Sequence, residues 1–359
     1  MCNAFEKNNV SVELVLPEPN VTILNVPSVI KNKFGVEMKF NIIFYKKISK
    51  YRIIEKYFGI RSVEKIISES DANYVFTRIP KFIGSILKYK RKLIFESHNS
   101  KLHNKYSIID WFWKNKILNQ IKDNNFTLFI SISQNLTNFW NELGIPKQKQ
   151  LALHDGFSAD LFNNVKDKIS SRKELNIAIN EKVVMYIGSL YPDREIDNIL
   201  IAAQATPNLN YYIIGGPNEY EVFYRNMAKK MELSNVNFLG YISHNEVPRY
   251  LSAADYLLGL WSRKVPTINY CSPLKVFEYM ASGNLIIAHN FPTIQEVLTE
   301  GETAFFVDPD DKNDLAKVLK RVLEIDTSKI SRNSKKNVYK EYTWEKRAKT
   351  IIKSLNKNE

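Results

Sequence analysis

The sequence predicts an α/β protein of two units, each a parallel sheet with helices on both faces. Three observations predict it. The chain has 359 residues, more than one core usually absorbs at roughly 150 residues per domain. Short apolar runs ending in glycine or polar residues alternate with amphipathic stretches at the spacing of βα units. The composition is that of an ordinary folded chain, with 44% apolar and 25% charged residues, 12 Gly, 13 Pro and 2 Cys. These fractions exclude collagen-like, disulfide-stapled and wholly disordered classes.

The C-terminal half carries the clearer pattern. VVMYIGSL (183–190) is a buried parallel strand ending in Gly-Ser, and DNILIAAQA (197–205) is the helix after it. LNYYIIGG (209–216) is a second strand ending in glycines, followed by a helix over 220–233 and a strand VNFLGYI (236–242). HNEVPRYLSAA (244–254) is a short helix and DYLLGLW (255–261) a fourth strand. SPLKVFEYMASG (272–283) predicts a helix with Ser272 at its N-cap, Pro273 in first position and Gly283 past its end. A strand NLIIAH (284–289), a helix TIQEVL (293–298), a strand TAFFVDP (303–309) and a helix over 310–325 complete the run.

The N-terminal half repeats the theme less sharply. VSVELVLP (10–17), NYVFTR (73–78), KLIFESH (92–98), TLFISIS (127–133) and QLALHDG (150–156) read as strands. VEKIISES (63–70), WFWKNKILNQIK (111–122) and LTNFWNELG (136–144) read as helices. The polar span from Asp160 to Lys182 reads as a linker. The opening MCNAFEKNN reads as the end of a helix, whereas an open α/β domain begins with a strand and a glycine turn. The expectation is that the first strand and its loop are missing.

Charge is unevenly spread. Residues 1–170 hold 26 basic and 15 acidic side chains, net +11, and residues 171–359 hold 25 and 23, net +2. A surplus confined to one half attracts an anionic partner. Lys46, Lys47, Lys50 and Arg52, and Lys88, Lys90, Arg91 and Lys92, stand among Tyr45, Tyr51, Tyr57 and Tyr89, a mixture suited to a headgroup region. A solvated surface with a lysine-rich bias is the plainer explanation. No zinc spacing or helix-turn-helix signature points to nucleic acid. No apolar run approaches the ~18 residues of a membrane span, and the start does not read as a secretory signal. Cys2 and Cys271, far apart, say little except that disulfides do not hold this fold, which fits a reducing cytoplasm.

Ligands of open parallel sheets bind off the carboxyl ends of the strands, and the candidate residues lie there. Ser272, Leu274 and Lys275 open a helix whose free N–H groups make an anion site, unless it is merely a capped helix. Glu278, in its first turns, can accept from vicinal ribose hydroxyls. Gly188-Ser189 and Arg194 form a turn with a guanidinium suited to a diphosphate. Gly215-Gly216 ends the next strand, where a missing Cβ admits a ligand or simply makes a turn. His98 closes an apolar strand and can bind a sugar hydroxyl or serve structurally. His103, His154, His244 and His289 share no ligand spacing, so no metal site is expected. The sequence contains no GxGxxG, Walker A, GxSxG, HExxH or CxxC.

From about 181 to 325 the chain resembles the donor domain of retaining glycosyltransferases with two Rossmann domains (GT-B, family 4 or group 1 type), a family that includes sucrose synthases and bacterial mannosyltransferases. The densest likeness is SPLKVFEYMASGNLIIAHNFPTIQEVL (272–298), with YIGSLYPDREIDNILIAA, YYIIGG, NVNFLGYISHNEVPRYLSAADYLLG and GETAFFVDPDD in the family's order. NYVFTR, IFESHNS, FISISQNLTNFWNELGIP and LALHDGFSADLF resemble its first domain, and KNVYKEYTWEKRAKTII (336–352) its closing helix.

The resemblance implies an acceptor-side domain over 1–165, a donor domain over 176–335 and a C-terminal helix over 336–359 crossing back to the first. It implies that Glu278, the second Glu of the family's E-x7-E motif, holds the donor ribose. The first Glu is replaced by Tyr270, and the usual Arg after Gly188 by Ser189. Gly188, Gly215, Ser272, Leu274, Lys275 and Arg194 fall on donor phosphate and sugar, Tyr241 and Ile242 beside the base, and His98 near the reacting carbon. The implied activity is metal-independent transfer from a UDP- or GDP-sugar to a polysaccharide or lipid-linked acceptor, with no further cofactor. It implies a cytoplasmic enzyme, peripheral at the inner membrane face. A nucleotide-sugar epimerase of the same architecture and an inactivated relative stay open as rivals.

Overall fold

A computed structural model describes residues 1–19, 25–34, 37–45, 52–102 and 107–357. Lys46, Lys47, Lys50, Tyr51 and His103 lie outside them. The first half runs α1 (Cys2–Glu6), β1 (Glu13–Pro17), α2 (Val26–Phe34), β2 (Asn41–Tyr45), α3 (Arg52–Glu69), β3 (Tyr74–Thr77), α4 (Ile83–Lys88), β4 (Lys92–Ser97), α5 (Ser107–Gln120), β5 (Phe126–Ser131), α6 (Gln134–Glu142) and β6 (Gln150–Ala152). The second runs α7 (Lys168–Glu174), β7 (Val183–Ile187), α8 (Ile196–Ala205), β8 (Asn210–Ile214), α9 (Asn218–Lys230), β9 (Val236–Gly240), α10 (Val247–Ala253), β10 (Tyr256–Gly259), α11 (Leu274–Ser282), β11 (Leu285–His289), α12 (Pro292–Gln295), β12 (Phe305–Val307) and α13 (Asp314–Leu323). The chain closes with α14 (Ser328–Glu341) and α15 (Trp344–Asn356).

Every pairing among these strands is parallel, which is the α/β class the alternation predicts. The second unit is a six-stranded sheet in the order β12-β11-β10-β7-β8-β9. Its strands read as continuous apolar runs because both faces are covered. Val183 and Met185 of β7 face a layer with α10, α11 and α12, while Val184 and Tyr186 face α8, α9 and α13. In the first unit β3-β4-β5-β6 form one sheet and β1 pairs with β2 in another. Leu93, Phe95, Phe126 and Phe129 pack toward α4, α5 and α6. The opposite face, with Ile94, Leu128 and Ile130, is covered by Ile351 and Leu355 of α15 from the far end of the chain.

Four local expectations are revised. The span 160–182 is not a plain linker, because Asp167 accepts from Ser170 N at 3.0 Å and caps α7. Within α7 the buried Arg172 donates to the carbonyls of Ala253, Ile179 and Glu181 and to Asp255. The closing stretch 336–352 is two helices, broken where Phe157 N donates to Tyr342 O at 2.9 Å and Trp344 N to Phe157 O at 3.2 Å. Thr343 then caps α15 through Lys346 N. A Cβ on Gly156 would stand 2.8 Å from the backbone at 342–344, so this strand-like contact needs a glycine. α2, β2 and α4 are elements the pattern does not predict. The fourth revision, at Ser272, belongs to the site.

Candidate functional site

β7 comes first in the second unit yet lies in its middle, with β8 on one side and β10 on the other. The chain reverses direction across the sheet there, and the turns leaving the carboxyl ends of β7 and β10 diverge. Such a switch point opens a ligand crevice. The turn 188–194, Trp261 beyond β10 and the first turn of α11 border it.

Glycines shape the crevice floor. Gly215 has φ +143°, and a Cβ there would lie 1.7 Å from the Gly188 carbonyl oxygen. Contact between the two turns therefore accounts for this glycine without any ligand. A Cβ on Gly188 would come within 3.0 Å of Lys275 Nζ, so its absence makes room for the ammonium. That ammonium lies 4.3 Å from the Tyr186 ring centre and 4.9 Å from that of Trp261, and donates to Tyr186 Oη at 3.2 Å. Burial, and then the neighbouring Arg194 charge, lower the Lys275 pKa to about 7. Arg194 donates to Ser189 Oγ at 3.1 Å and pairs with Asp193 at 3.1 Å. Ser189 also gives its carbonyl to the Tyr186 hydroxyl at 2.7 Å. Arg194, paired with Asp193, and Lys275 thus form one cationic group at the Gly188–Ser189 turn.

The helix beside it is not capped as the sequence predicts. Pro273 occupies the N-cap position of α11, and no side chain caps the helix. The Ser272 hydroxyl instead accepts from Asp155 N, at 2.8 Å across the cleft. The hydroxyl that would quench the helix end is used to join the units, so the positive end of α11 stays available to an anion. Leu274, half exposed, follows. Further along α11, Glu278 Oε1 lies 2.7 Å from His244 Nε2. His244 shares the β9–α10 connection with the exposed Tyr241 and with Ile242, which packs on the unit's core. The sequence offers His244 only as a possible metal ligand; nothing in its neighbourhood along the chain points to Glu278. Tyr270 stands at the seam, its ring centre 5.8 Å from that of Phe139 in α6 and its carbonyl accepting from Ser133 Oγ at 3.0 Å.

The opposing wall is the carboxyl edge of β4. His98 Nε2 lies 2.6 Å from Glu96 Oε1, which also meets Arg78 Nε at 2.8 Å. Arg347 of α15 holds the other oxygen at 2.8 Å. Burial pushes the Glu96 pKa up, but the bond to His98 and the charges of Arg347 and Arg78 outweigh it and hold it at about 2. Asp155 is buried beside them, and burial raises its pKa. Glu96, His98 and Asp155 offer ligand atoms within 4.8 Å of one another. Two guanidiniums already neutralise this cluster, which makes it a poor cation site.

Between the walls, Glu296 after α12 accepts from Gln134 N at 2.7 Å and Asn135 N at 2.9 Å, the free donors opening α6. His154 Nε2 lies 2.9 Å from the same carboxylate. A carboxylate of the second unit therefore grips a helix end of the first.

The family model described as "Glycosyl transferases group 1" matches residues 167–357. The D-inositol 3-phosphate glycosyltransferase of Corynebacterium glutamicum is 26% identical over 224 residues, 59% of this chain and 52% of that protein. The O-antigen chain mannosyltransferase RfbU of Salmonella typhimurium is 26% identical over 168 residues, 46% of this chain and 44% of that protein. The chain spans about half the length of the curated relatives it matches. Among solved structures, a glycosyltransferase from Rickettsia africae superposes with TM-score 0.77 at 13% identity, over 98% of this chain and 91% of the other. Sucrose-phosphate synthase from Thermosynechococcus elongatus gives 0.74 at 16%, over 99% and 91%. HepE from Anabaena, solved with UDP-glucose, gives 0.70 at 16%, over 96% and 99%. At these identities the likeness is one of fold, the two-Rossmann GT-B architecture.

Proposed function

The chain belongs to the glycosyl transferases group 1 family, and from that premise we propose that it transfers a glycosyl group from a nucleoside-diphosphate sugar to a polysaccharide or lipid-linked saccharide, with retention at the anomeric carbon. The observation that carries this reading is the cationic group of Arg194 and Lys275 beside the uncapped end of α11, in the switch-point crevice. Such a group suits a diphosphate leaving group, since it meets charge that develops as the glycosidic bond breaks. A UDP-sugar is the first donor to test, because the Anabaena protein of the same fold was solved with UDP-glucose; GDP-sugars come second.

In this reading Glu278 holds the ribose hydroxyls, and Tyr241 and Ile242 border the base. Gly188, Ser189, Gly215, Ser272 and Leu274 line the diphosphate and sugar. Tyr270, in place of the family's first glutamate, stands toward the sugar side. His98, oriented by Glu96, faces the donor sugar. The bond from the anomeric carbon to the phosphate oxygen breaks, a bond to the acceptor oxygen forms, and the acceptor's proton passes to the leaving phosphate. Arg194, Lys275 and the α11 end supply the electrostatic work, so the scheme calls for no metal. We also propose work at the inner face of the plasma membrane, with the basic first half toward anionic lipid. No helix among the described residues is long and apolar enough to cross a membrane.

The test incubates the chain with UDP- and GDP-sugars, with and without saccharide acceptors, and reads products by NMR. The expected result is release of the nucleoside diphosphate and a product of unchanged anomeric configuration. Inversion would overturn the stereochemical part. Isomerised donor formed without acceptor would favour an epimerase, and donor binding without any turnover an inactivated relative.

A further inference from the structure

α5 carries three large apolar side chains that the described residues leave uncovered. Ile108 is 78% exposed, Trp111 65% and Phe112 54%. At 100° per residue, positions i, i+3 and i+4 share one face of a helix, so the three form a single patch. The other side of α5 is the packed one. Ile117 is buried in the core, and Lys114 lies with its ammonium 5.1 Å from the Phe139 ring centre. Lys116 flanks the patch, its ammonium 4.9 Å from the Trp113 ring centre, and the exposed Lys101 and Lys122 stand before and after the helix.

We propose that this face of α5 inserts into the headgroup region of an anionic lipid bilayer. Burying such side chains in the acyl boundary removes apolar surface from water, and an indole is at home at that depth. Lysines beside the patch can lay their stems on the lipid and reach the headgroup phosphates. A second copy of the chain is the rival occupant, but the half that bears the patch has a net charge of +11. Two such halves repel one another, whereas an anionic bilayer supplies the opposite charge. The inference rests on the membrane contact proposed above and gives it an address. It needs no acceptor and no turnover, so it stands or falls apart from the transferase reading.

The experiment is co-sedimentation of the intact chain with phosphatidylcholine vesicles containing about one-third phosphatidylglycerol, at low and high salt. Wild type should bind, and part of the binding should survive high salt because apolar insertion is not screened. The variant I108S/W111S/F112S should bind at least about tenfold more weakly and lose the salt-resistant part. Its circular dichroism and UDP affinity should be unchanged, since all three side chains are exposed. Should that variant fail to fold, brominated lipid provides the second readout: it should quench wild-type tryptophan fluorescence, and Trp111→Phe should remove most of that quenching. Absence of wild-type binding would overturn the proposal, as would equal binding by the triple variant or quenching unchanged in Trp111→Phe. A wild-type dimer that the triple variant abolishes would assign the patch to a second copy and overturn it as well.

Discussion

Lys275 carries the most specific consequence of the site's chemistry. Enclosed by two aromatic rings, with Arg194 as its charged neighbour, its ammonium titrates at about 7. A bound diphosphate favours the charged form, so binding must raise that pKa. Below about pH 7 the lysine is already protonated and affinity should not depend on it. Above pH 7 the free protein holds it neutral, and nucleotide affinity should fall with rising pH, at most tenfold per unit. Calorimetry at pH 8 in two buffers of different ionisation enthalpy should detect proton uptake on UDP binding. Lys275→Met should weaken binding and abolish both the uptake and this pH dependence; uptake unchanged in that variant would remove Lys275 from the site. Glu278 reaches His244, an imidazole about 34 positions back along the chain. That pair aims the carboxylate, and only the fold brings it together.

At the scale of elements, α15 is held to the first sheet by a buried ion pair. Arg347, 2% exposed, donates to Glu96, to His154 O and to Leu153 O. Arg347→Ala leaves the Glu96 charge buried with less compensation and should cost roughly 3–5 kcal/mol in denaturant unfolding. The pH dependence follows from the sign of the shift. Glu96 titrates at about 2 in the fold against 4.5 ordinarily, so its contribution is complete above about pH 4.5 and is lost as pH falls toward 2. Unfolding curves at pH 7 and pH 3 should show that loss in wild type and less of it in Arg347→Ala. This pairing also marks what the sequence could convey. β7 to β12 are legible because strands buried on both faces leave unbroken apolar runs. β2, only partly buried, and the six-residue α4 after Pro80 give no comparable period. The break at Thr343 is invisible along the chain, since its cause is the pairing with Phe157. Ser272 misleads for the same reason: local pattern makes it a cap, and a partner in the other unit takes its hydroxyl.

At the scale of the whole molecule, the two units meet along a seam that includes Glu296 with the α6 amides and His154, Ser272 with Asp155 N, and Ser133 with Tyr270 O. The cationic group of the second unit and the His98–Glu96 pair of the first therefore border one cleft rather than two separate surfaces. The uneven charge follows the same division, with the basic half bearing the exposed face of α5 and the near-neutral half bearing the crevice. In the proposed reading this crevice holds a nucleoside diphosphate. Titration calorimetry of UDP, and then GDP, into the intact chain tests it most directly, beside Glu278→Ala and Arg194→Ala. Saturable one-site binding by wild type is expected, with each variant weakened at least about tenfold, or ~1.4 kcal/mol, at unchanged circular dichroism. Affinity for neither nucleotide, or affinity unaltered in both variants, would contradict it.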